Sequence, residues 1–64
     1  MNHPILNKYK EVLSNIGRVF QVCYSDTKEF YVEECCDFYY KYYLTKEDCL
    51  SLSEMFKDIA TCIE

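Results

Sequence analysis

Five cysteines (Cys23, Cys35, Cys36, Cys49, Cys62) and one histidine (His3) are the side chains here best suited to redox, metal or nucleophilic chemistry. Zinc sites take four Cys or His ligands that usually arrive as two closely spaced pairs. Cys35 and Cys36 are instead adjacent, no C-x-x-C spacing occurs, and the single imidazole lies near the N-terminus. An odd cysteine count behind no leader-like segment does not describe a secreted disulfide framework. Neither Cys35 nor Cys36 has an evident basic neighbour to depress its pKa. The cysteines therefore read as reduced, mostly buried thiols that behave as small hydrophobes, and neither a metal nor a cofactor is expected.

Other catalytic constellations fail on the same ground of missing partners. One glycine cannot build a phosphate-cradling loop or a dinucleotide fingerprint. A nucleophile needs a base beside it, and His3 is the sole imidazole available. Glu33 and Glu34 would face opposite ways on a strand, which is poor geometry for a shared acid–base site. The expectation is a protein that is not an enzyme.

The elements that position these side chains can be read from periodicity. Ile5, Leu6, Tyr9, Val12, Leu13 and Ile16 form one stripe at the helical repeat, predicting a helix over Pro4–Ile16. Asn2 or His3 can cap it, Pro4 suits its first position, and Gly17 suits a left-handed C-cap. Residues 18–24 are rich in β-branched and aromatic types, Ser25–Lys28 reads as a turn, and residues 29–34 alternate polar and apolar. Together they predict a β-hairpin with Phe20, Val22, Tyr24, Phe30 and Val32 on its inner face. Phe38–Leu44 is read as a third strand, with a helix from Glu34 to Tyr43 as the rival. Thr45 followed by Glu47 and Asp48 resembles a capping box, and the final helix should run from Lys46 nearly to the end. Cys49, Leu52, Met55, Phe56, Ile59, Ala60, Cys62 and Ile63 make up its apolar arc.

The predicted fold is thus a single α+β domain over residues 1–64. Its order is α-β-β-β-α, with two helices packed on one face of a three-stranded antiparallel sheet. At 64 residues such a chain buries only about 60% of its unfolded surface. Seven Tyr and four Phe can supply a core despite that length. No run of eighteen apolar residues occurs, so no membrane contact is expected, and the location is read as the cytoplasm of a bacterial or infected host cell.

Charge and aromatics point to a use for the sheet. The net charge is −4, and residues 26–37 carry five acids against one lysine, which disfavours direct nucleic-acid binding. With two helices on one face, the other face would show tyrosines flanked by glutamates. Glu29, Tyr31, Glu33, Glu34, Asp37, Tyr39 and Tyr43 are the expected partner-binding residues. Tyrosine supplies rigid area with a polar tip, and the carboxylates would steer a partner protein with a basic surface. That face, or an open sheet edge, could also pair two copies as a homodimer. In its short, acidic character the chain resembles phage-encoded inhibitors that occlude a host or defence enzyme, although no motif carries the resemblance. The alternatives are a nucleic-acid mimic blocking a DNA- or RNA-binding protein and a redox or metal-sensing module built on Cys35 and Cys36.

Overall fold

A capped first turn begins the fold. His3, in extended conformation, accepts the Ile5 N–H on its Nδ1 at 3.2 Å, and Pro4 takes the first helical position, where it has no N–H to lose. The architecture comes from a computed structural model, which describes residues 2–35 and 40–63. Its elements are α1 (Pro4–Lys8), α2 (Lys10–Ile16), β1 (Phe20–Tyr24), β2 (Phe30–Glu34) and α3 (Lys46–Cys62).

The predicted first helix is present as two segments. Tyr9, at φ −106° and ψ 23°, leaves the helical region between them, although its N–H still reaches the Ile5 carbonyl at 3.3 Å. Its hydroxyl explains the departure in part, because it donates to Asp58 Oδ2 of α3 at 2.7 Å. Lys8 Nζ lies 3.5 Å from the same oxygen, so one carboxylate holds the α1–α2 junction against α3. Gly17 ends α2 in a right-handed conformation (φ −62°), not the left-handed cap expected of it. The glycine serves close approach instead: a Cβ there would meet the Leu13 carbonyl oxygen at 3.1 Å.

The hairpin forms, and its register sets Val22 opposite Val32 and Tyr24 opposite Phe30 on one face. Its loop is Asp26–Lys28. The Lys28 N–H donates to the Ser25 carbonyl at 3.0 Å, and Lys28 then takes φ 64°. That is a type I turn followed by a left-handed residue, a position that favours glycine. A left-handed lysine costs about 1–2 kcal/mol. Lys28→Gly should therefore raise stability by about 1 kcal/mol, read as a higher urea midpoint at unchanged slope. An unchanged or lower midpoint would contradict this account of the loop.

The fold class differs from the prediction. The sheet has two antiparallel strands and is accompanied by three helices, in place of three strands and two helices. Residues 40–45 form no strand, and residues 36–39 of the predicted third strand and its link lie outside the described residues. The aromatic run is held by side chains instead. Tyr40 lies under the Arg18 guanidinium at 4.5 Å, and Tyr42 donates to Asp48 Oδ2 at 2.8 Å. Such contacts override β propensity, which is itself mostly a record of neighbours.

The final helix agrees closely with the capping reading. Thr45 Oγ1 accepts the Asp48 N–H at 3.1 Å, while Asp48 Oδ2 accepts the Thr45 N–H at 3.1 Å. The buried stripe of α3 is narrower than the predicted arc. It runs through Asp48, Met55 and Ile59 with Leu52 half-buried beside them, whereas Cys49, Phe56, Ala60, Cys62 and Ile63 are exposed. Met55 and Ile59 pack with Val22 at the centre of the core, surrounded by Ile5, Leu6, Tyr9, Leu13, Phe20, Phe30 and Leu52. Among the described residues the thiols are not mostly buried: Cys49 and Cys62 are exposed, and Cys23 and Cys35 are half-buried, while Cys36 lies outside the described residues.

Candidate functional site

The backbone of the hairpin decides which side chains share a face. Ser25 N–H bonds to the Glu29 carbonyl and Cys35 N–H to the Val19 carbonyl. These two pairs fix the alternation of the ladder. Gln21–Glu33 and Cys23–Tyr31 are hydrogen-bonded pairs, and Phe20–Glu34, Val22–Val32 and Tyr24–Phe30 are the non-bonded pairs between them. Odd-numbered side chains therefore lie on the outer face and even-numbered ones on the face toward α3.

On the outer face Tyr31 stands beside Cys23, with Gln21 and Glu33 as the next cross-strand pair. Tyr31 is 43% exposed, and Gln21 and Glu33 are exposed with it. Its interaction with the Cys23 thiol, then partial burial and the nearby Glu33 and Asp26 carboxylates, raises the Tyr31 phenol above its usual pKa. A phenol can donate a hydrogen bond, and here it does so from the middle of an acidic surface. Glu29, at the end of the ladder on the same parity, accepts from Thr27 Oγ1 at 3.2 Å. Its carboxylate is tied into the loop, where Ser25 and Thr27 hydroxyls lie 2.8 Å apart.

The remaining expected contact residues are not on this face. Glu34 is exposed but even-numbered, opposite Phe20, so it projects away from Glu33. Tyr43 is 82% exposed in the irregular segment that precedes α3 and belongs to no strand. Asp37 and Tyr39 lie outside the described residues. The surface brought together by the fold is Gln21, Cys23, Tyr31 and Glu33, with Glu29 at its loop end.

Two groups were not singled out from the sequence as points of contact. His3 packs its ring 4.6 Å from Tyr24 and 4.8 Å from Phe30, which themselves lie 4.8 Å apart. The Tyr24–Phe30 contact follows from their cross-strand pairing, but nothing in local sequence brings His3 to them. The second is Asp48, a buried carboxylate that joins Tyr42 to the start of α3. A polar groove of about 250 Å³ opens beside it, bordered by Lys8, Glu11, Asn15, Glu47 and Ser51.

Among the described residues no group of three or more His, Cys, Asp or Glu side chains could hold a metal ion. No described helix is long and apolar enough to cross a membrane. The chain matches no family model, and comparison with curated proteins and with solved structures finds no match either.

Proposed function

We propose that the chain is a small acidic protein-binding module that docks on a basic surface of another protein through the outer face of its hairpin. The observation carrying this reading is Tyr31, exposed at the centre of that face and flanked by Glu33 in a fixed cross-strand register. Tyrosine contributes contact area at small conformational-entropy cost, and adjacent carboxylates orient a cationic partner. Occlusion of a functional surface on a cytoplasmic enzyme, as a phage-type inhibitor exerts, is an activity such a face supports without catalytic residues of its own.

The geometry favours this over a nucleic-acid mimic. A mimic needs its acids along one ridge, whereas Glu33 and Glu34 point to opposite faces of the hairpin. The alternative of a switch on Cys35 and Cys36 rests on a pair of which only Cys35, a half-buried free thiol, lies within the described residues.

The test is capture of partners by the tagged chain from bacterial lysates, with a Tyr31→Ala/Glu33→Lys variant beside it. A stoichiometric partner is expected that is released progressively as salt rises and is lost at least about tenfold in the variant. Capture that ignores both the salt and the substitutions would overturn the reading, as would the absence of any stoichiometric partner.

A further inference from the structure

The unpaired side of β2 has the geometry of an interface. Because Cys23–Tyr31 and Gln21–Glu33 use their backbone groups within the hairpin, the N–H and C=O groups of Phe30, Val32 and Glu34 point outward. Among the described residues no backbone group bonds to this edge. α2 packs against β1, whereas β2 has β1 as its principal neighbour. Val32, on the face toward α3, is 60% exposed although its partner Val22 is buried. An exposed valine on an open strand edge is a recognised template for further strand pairing.

We propose that a second copy of this chain occupies that edge, with β2 pairing antiparallel to β2 of the other copy about a two-fold axis at Val32. This proposal stands apart from the docking of a basic partner on the outer face. A two-fold at Val32 sets Val32 opposite Val32 of the other copy, and Phe30 opposite Glu34. All three residues with outward backbone groups are thereby matched at once. On the outer face Tyr31 meets Glu33 across the seam, so no two like charges lie directly opposite each other. The result is a four-stranded sheet in the order β1-β2-β2-β1 that carries two copies of the Tyr31–Glu33 surface side by side.

The chain also exposes more surface than a compact monomer of its mass. The chain exposes 5239 Å², against roughly 4300 Å² for a folded monomer of its 7.7 kDa mass. Its radius of gyration is 11.9 Å, against about 10.7 Å for a compact domain of 64 residues. The excess, summed over the whole chain, is roughly 900 Å².

Charge sets the salt dependence. Glu33 of each copy lies diagonally from Glu33 and Glu29 of the other across the seam, so added salt should strengthen the pairing. Salt weakens capture of a basic partner, and the two readings therefore fail separately.

Analytical ultracentrifugation of the full chain tests the proposal, with Val32→Lys and Val32→Pro as variants. Val32→Lys places like charges face to face at the axis. Val32→Pro deletes an outward N–H that the hairpin does not use, a substitution that edge strands tolerate. Circular dichroism confirms that each variant folds. The expected result is a mass twice that of the monomer, favoured by salt, with dimer affinity weakened at least about tenfold in each folded variant. A monomer at concentrations up to about 1 mM, or a dimer indifferent to Val32→Lys, would overturn it.

Discussion

Met55→Ala is expected to remove about 2–5 kcal/mol, a large share of the chain's stability. Met55 is 0% exposed and is, with Ile16, one of the two largest fully buried side chains. It packs with Val22 from β1 and Ile59 from α3, surrounded by side chains of α1, α2 and β2. Truncating a buried methionine removes its transfer free energy and leaves a cavity, together costing about 2–5 kcal/mol. A chain of 64 residues has roughly 3–10 kcal/mol of stability in total. Urea unfolding followed by circular dichroism measures the loss, and Met55→Leu should recover most of it because the volume is kept. A loss below about 1 kcal/mol for Met55→Ala would mean that α3 does not seal this core.

Asp48→Ala is the second large effect, and it acts through hydrogen bonds. The carboxylate accepts the Thr45 N–H at 3.1 Å and the Tyr42 hydroxyl at 2.8 Å, and the residue itself is buried. Removing it strands two donors, opens the capping box, and frees the segment that precedes α3. A drop in Tm on the order of 10 °C is expected, with Asp48→Asn recovering part of it through its amide oxygen. Alanine at this position with an unchanged Tm would contradict the assignment.

The same carboxylate gives a pH dependence of known sign. The Thr45 N–H, then the Tyr42 hydroxyl, lowers the Asp48 pKa; the Tyr9 hydroxyl, backed by Lys8, lowers that of Asp58. A group whose folded pKa is depressed binds its proton more readily in the unfolded chain. Its stabilisation is complete above the ordinary carboxylate value of about 3.9 and is lost as pH falls through the depressed one. Thermal stability should accordingly decline below about pH 4, and Asp48→Asn should flatten that decline.

Residue types explain why some of this was legible in sequence. Thr45, Asp48 and the spacing of Leu52, Met55 and Ile59 define α3, because a helix start and a buried stripe are local patterns. The shared face of the hairpin is legible for a similar reason: a one-residue slip would turn Val22 and Tyr24 outward. The break at Tyr9 was not, because its hydroxyl is drawn to Asp58, forty-nine residues away. Nor was the fate of residues 40–44. Their tyrosines suit a strand, but Arg18 and Asp48, distant or on the next element, hold Tyr40 and Tyr42. That misreading carried Tyr43 into the expected contact surface, while the face assignment of Tyr31 and Glu33 rested on β2 alone and did not depend on a third strand. Glu34 cannot belong to that face, since Glu33 and Glu34 point to opposite faces of a strand.

Backbone amide chemical-shift mapping of the labelled chain, titrated with the protein it captures, tests the central claim most directly. The docking account predicts perturbations centred on Gln21, Cys23, Tyr31 and Glu33, with the exposed side of α3 at Ser53, Glu54 and Lys57 unaffected. Perturbations confined to α3, with the hairpin silent, would contradict it.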